Sequence, residues 1–463
     1  MEIFKAYDVR GIYGENLTEK EAFLLGYYSS RHMLVKEFKV AHDLRLSHEN
    51  LTKFFIKGLI HSGCKPIYLG ALSTPNFYHA LFEGINSGVV ITASHNGPQY
   101  NGFKFMKNLK SLDSRNGLNE IGELVHLDED NMGVIFNEIK HDLLTLSLKN
   151  FIQEYSIETQ ECLNSYKDFL ISYAKTLFDS REIKLLQERR FAYCFSSGMS
   201  SQALVPTIKE LGFNTNFFLE TPDGNFPNYE PNPTNAQEYV VSEIEGVEGT
   251  FCYDGDGDRV AFYDEEQRLV FEDSLIALLI NSFKEENKLF VVDLRASKYL
   301  SDLAEKSQLS LKRLRVGRAF YQDYMEDNDC VFGAELSGHL FFRDFKYLDN
   351  PDIATLQCLK IFARNFLHSS NFRVSEEFSK YEIYAKVPEH NIKVQNSQES
   401  IENIKKKYSK NIVSQLDGVS FEFEDVWFNI RASNTEPILR ITIEGYHLES
   451  VKEKLQELIA FLE

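Results

Sequence analysis

The sequence predicts repeated α/β units with mixed or parallel sheets, followed by a small α+β domain at the C-terminal end. Short apolar strands alternate with amphipathic helices in the first part of the chain, whereas short strands and two charged helices alternate from about residue 371 onward. The length of 463 residues is too great for one hydrophobic core and predicts about three or four domains. We therefore expect an α/β body with an α+β domain appended to it.

The helices nearest the N-terminus have recognisable boundary signals. Thr18 and Glu21 have the spacing of a capping box and precede the apolar run 22–34, which predicts a helix. Ser47 is predicted to cap the next helix, and Gly63 to end it. Both signals fit the alternation of strands and helices.

Buried strands are predicted where short apolar runs meet turn residues. Residues 87–93 form such a run and lead directly to Ser94. Further strands are predicted at 190–197, 249–253 and 288–294. Together with the later change of pattern, these elements predict four domains, at residues 1–142, 143–240, 241–366 and 367–463.

The charge balance restricts the classes of partner. Acidic residues outnumber basic ones by 69 to 50, which gives a formal net charge of −19. The field of such a chain repels nucleic acid and anionic membranes, so neither is expected as a partner. A local cluster of arginine and lysine can still attract a small anionic substrate.

The remaining composition predicts a cytoplasmic protein. The N-terminal residues lack the pattern of a signal peptide, and the densest apolar run, 275–280, is too short to span a bilayer. Six cysteines are present without any C-x-x-C pair. We interpret them as buried thiols in a reducing compartment.

Three carboxylates alternate with glycines directly after one apolar strand and before another. They can converge on one hard cation because glycine permits the tight turn. A solvated acidic turn is the alternative, and the strand-to-strand context favours a metal site formed by Asp254, Asp256 and Asp258. A calcium-binding EF-hand loop is excluded by Arg259, which stands where that loop needs glycine, although Glu265 falls at its last ligand position.

Ser94 ends a buried strand inside a loop rich in glycine, asparagine and proline. A serine in a loop is most often a simple turn residue. The G-x-S-x-G pattern of a hydrolase nucleophile is absent, so another chemistry must make this serine reactive. A phosphoseryl group is one answer, and its charge of about −2 would need a divalent cation and basic neighbours.

Two further segments have the chemistry of sugar and phosphate recognition. In the first, Glu335 and Ser337 can share hydrogen bonds with vicinal sugar hydroxyls, and His339 can move a proton unless it is only structural. The second is a predicted hairpin turn from Arg431 to Arg440 that is rich in hydroxyl, amide and guanidinium donors. Such donors suit a phosphate dianion, and a solvated turn is the alternative.

Five segments in this order resemble the α-D-phosphohexomutase superfamily. They are Phe4–Gly11, Thr92–Lys104, Asp254–Arg259, Ala334–His339 and Arg431–Arg440. The resemblance implies three related α/β domains with mixed sheets and a fourth, TATA-binding-protein-like α+β domain around a central cleft. The first and fourth segments are most similar to those of bacterial phosphomannomutase/phosphoglucomutase enzymes.

The resemblance also implies the chemistry. Phospho-Ser94 would donate its phosphoryl group to the free hydroxyl of a hexose 1- or 6-phosphate, with a hexose 1,6-bisphosphate as intermediate. One Mg²⁺ per chain is implied, bound by Ser94 and the three aspartates. Arg10, Lys104 and His339 are the candidates for proton transfer and charge stabilisation, and the choice among them stays open. The implied substrate-binding residues are Tyr7, Arg259, Arg295, Arg318, Glu335, Ser337, Gly338, His339, Arg431, Ser433, Asn434, Thr435 and Arg440.

Small hexose phosphates, of mannose and/or glucose, are the expected partners of a monomer or weak homo-oligomer. The alternatives are a phosphoglucosamine mutase, a metal-dependent sugar phosphatase working through Ser94, and a catalytically silent sugar-phosphate-binding protein. Five departures from the family pattern stand out. Gly97 replaces the usual proline and is expected to loosen the loop that presents Ser94. Arg295 replaces lysine, and Arg318 replaces histidine. Residues 347–353 lack the usual Asp-Asp-Gly, and residues 194–198 lack the usual Asp-x-x-Asn-Gly.

Overall fold

The computed structural model describes residues 3–283, 289–432 and 438–462, which divide into two units. The first unit comprises Met1–Val270, Gly317–Asp327 and Ser337–Val374. The second comprises Phe271–Val316, Asn328–Leu336 and Ser375–Glu463. Each unit therefore collects segments that are distant in the sequence.

The strands predicted at 87–93, 190–197, 249–253 and 288–294 are confirmed as β4, β8, β10 and β12. The described strands are β1 (Val9–Ile12), β2 (Glu37–His42), β3 (Lys65–Ala71), β4 (Gly88–Ile91), β5 (Tyr100–Lys107), β6 (Lys110–Ser111), β7 (Glu158–Thr159), β8 (Phe191–Cys194), β9 (Thr215–Phe218), β10 (Gly249–Tyr253), β11 (Val260–Asp264), β12 (Leu289–Asp293), β13 (Ser310–Leu314), β14 (Phe332–Ala334), β15 (Leu340–Phe342), β16 (Leu348–Asp349), β17 (Ala385–Lys386), β18 (His390–Lys393), β19 (Ile412–Ser414), β20 (Val419–Glu422), β21 (Val426–Ala432) and β22 (Ile438–Gly445).

Helices alternate with these strands through most of the chain. The described α-helices are α1 (Glu19–Met33), α2 (His48–His61), α3 (Thr74–Ala80), α4 (Leu118–Leu127), α5 (Met132–Thr145), α6 (Leu148–Glu154), α7 (Leu163–Leu177), α8 (Ser180–Glu188), α9 (Ser201–Leu211), α10 (Ala236–Tyr239), α11 (Glu272–Phe283), α12 (Lys298–Lys306), α13 (Arg318–Asp327), α14 (Pro351–His368), α15 (Val374–Ser379), α16 (Ser397–Lys407) and α17 (Leu448–Leu462). None of those described is both long and apolar enough to cross a bilayer.

The predicted boundary signals of the first two helices are partly confirmed. Thr18 caps α1, and the Thr18 amide donates to the Glu21 carboxylate at 2.9 Å, which completes the capping box. Gly63, with φ of +80°, ends α2 as predicted. Ser47 stands at the N-cap position of α2, as predicted, but its side chain makes no capping hydrogen bond. Its hydroxyl accepts a hydrogen bond from the Asn101 amide at 2.7 Å instead and ties α2 to β5.

The first unit contains a mixed sheet in the order β1-β5-β4-β2-β3-β7, with β6 beside β5. Strands β2, β3, β4 and β7 run parallel, whereas β1, β5 and β4 pair antiparallel. Since β2 and β4 are parallel neighbours, the residues after both strands meet at one edge of the sheet. Ser94 follows β4 at that edge, and Asp43 and Arg45 follow β2.

Helices α1 and α2 form a layer on this sheet, and their backbones approach each other closely. A side chain on Gly26 would overlap the Phe55 carbonyl oxygen, and one on Gly58 would overlap the Phe23 carbonyl oxygen. The two glycines therefore let the helix backbones touch, which places the apolar faces of both helices against the sheet. This packing anchors the strands that carry Ser94 and Lys104.

The same unit contains a second sheet in the order β11-β10-β8-β9, in which β10 and β11 form an antiparallel hairpin. Strands β15 and β16 pair antiparallel, with Phe341 opposite Asp349. The six cysteines of the chain are buried free thiols, as predicted.

The second unit combines an α/β layer with the C-terminal α+β domain. Strands β13, β12 and β14 are parallel. The C-terminal strands form an antiparallel sheet in the order β17-β22-β21-β20-β19, with β18 beside β22. One face of this sheet is apolar and packs on buried residues of α16 and α17, and the register places Arg431 opposite Arg440.

Candidate active site

Three aspartates occupy the turn between β10 and β11. Asp254, Asp256 and Asp258 are completely buried, and each offers a carboxylate oxygen within 4.8 Å of those of the others. The amides of Asp258 and Arg259 both donate to Asp254 Oδ1, at 3.0 and 3.2 Å, and close the turn. Gly257, with φ of +72°, supplies the left-handed backbone that the turn requires.

Ser94 meets this turn from the first sheet. The Ser94 hydroxyl donates to Asp254 Oδ2 at 2.7 Å, across a separation of 160 residues. Its backbone is left-handed, with φ of +52°, and its amide donates to Thr92 Oγ1 at 3.0 Å. A non-glycine residue in this conformation must be held by its surroundings, which is a frequent feature of functional sites.

Lys104 projects from β5 into the aspartate cluster. Its Nζ lies 2.5 Å from Asp256 Oδ2 and 2.5 Å from Asp258 Oδ2. Burial lowers the pKa of Lys104, but these two carboxylates outweigh it and the pKa is raised overall. For the Asp258 carboxylate, burial raises the pKa. Lys104 and the nearby cationic side chains outweigh burial, so the pKa of Asp258 lies well below its usual range. The Lys104 ammonium and the Asp258 carboxylate are therefore charged together in a buried site.

The donor set fits a hard divalent cation. Within the described residues, Asp256 Oδ1 and Asp258 Oδ1 are buried without a hydrogen-bond partner. Burial and the charges of its two neighbours raise the pKa of Asp254 well above its usual range. Orphaned carboxylate oxygens and unrelieved negative charge are what an oxygen-liganded cation would satisfy. The three aspartates, with the Ser94 oxygen beside them, could hold a metal ion.

His339 is oriented by a carboxylate that the sequence did not single out. Its Nδ1 lies 2.7 Å from Asp349 Oδ2, and its Nε2 accepts a hydrogen bond from Arg259 Nε at 3.1 Å. This network assigns the proton to Nδ1 and makes Nε2 the acceptor. His339 Nδ1 also lies 3.8 Å from Asp258 Oδ1, so the imidazole borders the aspartate cluster.

Two further predicted arginines lie in the same unit. Arg318 is buried, donates to the Tyr78 hydroxyl at 2.5 Å, and lies 4.0 Å from Asp258 Oδ2. Arg10 donates to Asn96 Oδ1 at 2.7 Å, beside the Ser94 loop. The structure thus brings both cations to the region of Ser94 and the aspartates.

The other predicted residues of this unit have backbone or packing contacts. The Gly338 carbonyl accepts a hydrogen bond from the Val260 amide at 3.4 Å, which joins the segment Ala334–His339 to β11. Tyr7 packs close to Gly317, next to Arg318. Ser337 belongs to this unit, whereas Glu335 belongs to the second.

The second unit gathers three of the predicted substrate-binding arginines around one carboxylate. Glu389 lies 3.6 Å from Arg295, 3.7 Å from Arg431 and 3.3 Å from Arg440. Arg295 lies 2.5 Å from Asp293. Burial lowers the pKa of Arg295, but Asp293 outweighs burial and raises it, with smaller contributions from Glu389 and the buried Glu335. We call Arg295, Arg431 and Arg440 the arginine clamp. The predicted ligands Ser433, Asn434 and Thr435 lie outside the described residues.

Sequence reasoning missed the partners of the predicted residues. Asp349, Tyr78 and Glu389 were not predicted, because each contact joins residues far apart in the sequence or in separate strands. A signal did exist for Asp43 and Arg45. They follow β2 directly, as Ser94 follows β4, and residues at the carboxyl ends of neighbouring parallel strands are expected to meet.

The comparisons with known proteins agree on one family. Models of phosphoglucomutase/phosphomannomutase match residues 1–129 (alpha/beta/alpha domain I), 165–267 (alpha/beta/alpha domain II), 271–381 (alpha/beta/alpha domain III) and 382–460 (C-terminal domain). A phosphomannomutase of Methanocaldococcus jannaschii is 31% identical over 98% of this chain and 96% of its own length. A phosphoglucomutase/phosphomannomutase of Thermococcus kodakarensis is 30% identical over 100% of this chain and 98% of its own.

A solved structure shows the same fold. The phosphoglucomutase/phosphomannomutase family protein of Burkholderia thailandensis has a TM-score of 0.78 at 21% identity, over 99% of this chain and 96% of that one. The prediction of three α/β domains with mixed sheets and a C-terminal α+β domain is therefore confirmed.

Proposed function

Because the chain belongs to the phosphoglucomutase/phosphomannomutase family, we propose that it is a phosphohexomutase. It interconverts the 1- and 6-phosphates of mannose and/or glucose through phospho-Ser94 and a hexose 1,6-bisphosphate. The observation that carries this proposal is the 2.7 Å hydrogen bond from the Ser94 hydroxyl to Asp254, inside a buried cluster of three aspartates. A nucleophile and a candidate cation-binding centre therefore share one site.

The proposed transfer moves one phosphoryl group in each direction. The bond between phosphorus and Ser94 Oγ breaks, and a new bond forms to the free sugar hydroxyl. The proton that this hydroxyl loses is balanced by the proton that Ser94 Oγ takes up. A Mg²⁺ ion bound by Ser94, Asp254, Asp256 and Asp258 would neutralise charge on the transferring group. The Lys104 ammonium, fixed 2.5 Å from two of these carboxylates, adds positive charge at the same place.

We assign the proton transfer to His339 rather than to Lys104 or Arg10. Lys104 is engaged by two carboxylates, and a guanidinium does not release its proton. Asp349 holds His339 in the tautomer whose Nε2 is an acceptor. When Arg259 turns from Nε2 to the substrate phosphate, that nitrogen becomes available to the sugar hydroxyl.

Asp349→Asn is expected to lower kcat by about 10²- to 10⁴-fold, the usual contribution of general acid–base catalysis. An amide can present its NH₂ group to Nδ1 and reverse the tautomer, so that Nε2 no longer accepts a proton. The coupled mutase assay described below measures this change. Asp344→Asn, at an exposed carboxylate in the preceding turn, is the control and should leave kcat unchanged. An unchanged kcat in folded Asp349→Asn would remove His339 from this role.

The arginine clamp is proposed to bind whichever phosphate is not reacting. Glu389 stands among its three guanidinium groups, so a phosphate must displace this carboxylate. Because the pairs are partly exposed, each contributes about 0.2–1 kcal/mol. Ser433, Asn434 and Thr435 would complete the phosphate site.

Glu389→Gln is therefore expected to lower KM for hexose phosphate by about 3- to 10-fold, with little change in kcat. Steady-state kinetics of the variant and the wild type provide the measurement. Glu402→Gln, at an exposed carboxylate on α16 of the same domain, is the matched control. A raised KM would mean that Glu389 organises the clamp instead of competing for it.

A coupled assay tests the function as a whole. Mannose 1-phosphate and glucose 1-phosphate are supplied with Mg²⁺ and a trace of hexose 1,6-bisphosphate, and the 6-phosphate products and inorganic phosphate are both measured. The proposal predicts isomerisation with almost no release of phosphate. A sugar phosphatase would release phosphate, a silent binding protein would form no product, and a phosphoglucosamine mutase would act on glucosamine phosphate instead.

The remaining expectations belong to the proposal as well. They are the domain boundaries near residues 142, 240 and 366, a cytoplasmic location, and a monomer or weak homo-oligomer that binds small hexose phosphates.

A further inference from the structure

Arg45 and Asp43 form a fully buried ion pair that the mechanism above does not use. They follow β2, and Arg45 Nε donates to Asp43 Oδ2 at 3.0 Å with both side chains completely buried. The Arg45 guanidinium also lies over the Phe226 ring, 4.9 Å from its centroid. Burying such a pair costs hydration, so its retention calls for hydrogen bonds that use the buried charge.

The remaining N–H groups of the Arg45 guanidinium donate to backbone carbonyls between Ser94 and Tyr100, in the loop that presents Ser94. One terminal nitrogen donates to the carbonyls of Ser94 and Asn96, both at 2.7 Å. The other donates to the carbonyls of Gly97 and Tyr100, at 2.6 and 3.1 Å. With the bond to Asp43, all five N–H groups of the side chain have acceptors. One side chain therefore holds four carbonyls of the loop that presents Ser94.

Asp43 reaches Ser94 by a second route. Burial raises the pKa of Asp43, and the Thr92 side chain is close enough to the carboxylate to oppose that rise. The same Thr92 hydroxyl oxygen accepts the Ser94 amide at 3.0 Å. The Ser94 amide is thus held through Thr92 and its carbonyl is held by Arg45, on either side of a left-handed backbone. A conformation that an L-residue rarely adopts needs such constraints from both sides.

We propose that Arg45 is a positioning residue for the phosphoryl transfer and fixes the direction of Ser94 Oγ toward the aspartate cluster. This inference rests on the proposed function. The planar fork of a guanidinium can bind several carbonyls in one plane, which the single ammonium of lysine cannot reproduce. The loop has Gly97 where proline would stiffen the chain, and Arg45 binds the carbonyl of that very residue.

The test is the rate at which Ser94 is phosphorylated. The full chain with Mg²⁺ is mixed with glucose 1,6-bisphosphate, and intact mass follows the added phosphoryl group in time. Arg45→Lys should lower this rate and kcat by about 100-fold, the loss expected from a small misplacement of the nucleophile, while KM stays within about threefold of the wild type. In Arg45→Ala, added guanidinium ion should restore at least part of the lost rate.

A milder variant keeps the inference falsifiable if the Arg45 variants fail to fold. Thr92→Val removes only the second route and should lower the phosphorylation rate by about tenfold. Thr52→Val is its matched control, because the Thr52 hydroxyl is buried with no hydrogen-bond partner in the described part of the chain. That control should keep the wild-type rate.

The outcomes separate this inference from the function on which it rests. If the wild type takes no phosphoryl group at Ser94, the proposed function fails and the inference fails with it. If the wild type is phosphorylated and folded Arg45→Lys or Thr92→Val matches its rate, only the inference is overturned. Loss of rate without guanidinium rescue, accompanied by an equal loss in Thr52→Val, would indicate a merely structural role and would also overturn it.

Discussion

Ser94→Ala is expected to lower kcat by on the order of 10⁶-fold, as the removal of a covalent nucleophile does. The variant lacks the oxygen that carries the phosphoryl group between the two positions of the sugar, and water cannot take over that role without releasing inorganic phosphate. The fold should survive, because the turn that holds Asp254 is closed by its own amide hydrogen bonds and does not need the 2.7 Å bond from the Ser94 hydroxyl. The coupled assay and the intact mass after incubation with hexose 1,6-bisphosphate measure the effect.

Ser30→Ala is the matched control for this variant. Ser30 is a buried serine of the same sheet-and-helix layer, and its hydroxyl donates to the Gly26 carbonyl at 3.1 Å, away from the aspartates. It should keep both activity and the added mass of one phosphoryl group. Residual turnover of Ser94→Ala within tenfold of the wild type would show that another group carries the phosphoryl group.

Lys104→Met should have the largest effect on stability. The ammonium is the close partner of Asp256 and Asp258, so its removal leaves two buried carboxylates facing each other beside Asp254. Breaking a buried ion pair costs about 3–5 kcal/mol in the free energy of unfolding. The rate should fall by about 10²- to 10³-fold as well, because positive charge is lost where the transferring phosphoryl group becomes most negative.

The change of Tm on addition of Mg²⁺ is the sharper measurement for Lys104→Met. A cation that binds the folded chain raises its stability, and the rise grows with the logarithm of the affinity. The variant presents the same carboxylates without the competing ammonium. Thermal unfolding with and without Mg²⁺ should therefore show a larger rise of Tm in the variant than in the wild type. Lys39→Met is the control, since Lys39 is equally buried but donates to the carbonyls of Ala80 and Glu83. An equal Mg²⁺ response in all three chains would contradict a cation at the aspartates.

Local signals in the sequence were enough to predict the elements and the reacting groups. The capping box at Thr18 and Glu21 depends on residues three apart, and the aspartate turn lies between two strands that are neighbours in the sequence. Ser94 could be predicted because a short apolar strand ends directly before it. Each of these predictions needs only the geometry of one helix, one turn or one hairpin.

The partners of these groups depend on how distant strands align. Asp349 reaches His339 because β15 and β16 pair in one register, and Arg45 reaches the serine loop because β2 and β4 are neighbours in the sheet. The Ser47 hydroxyl accepts a hydrogen bond from Asn101 of β5 and not from an amide of its own helix. Local sequence patterns do not specify how distant strands align. The residues that orient the site residues, such as Asp349 and Arg45, could therefore not be predicted from the sequence.

The fate of a labelled phosphoryl group on Ser94 tests the central claim most directly. The enzyme is phosphorylated with isotopically labelled phosphate on Ser94, freed of bisphosphate, and mixed with glucose 1-phosphate and Mg²⁺ in a single turnover. The account predicts that the label passes from the protein to glucose 1,6-bisphosphate and then to glucose 6-phosphate. Label that appears as inorganic phosphate, or that stays on the protein, would contradict the account.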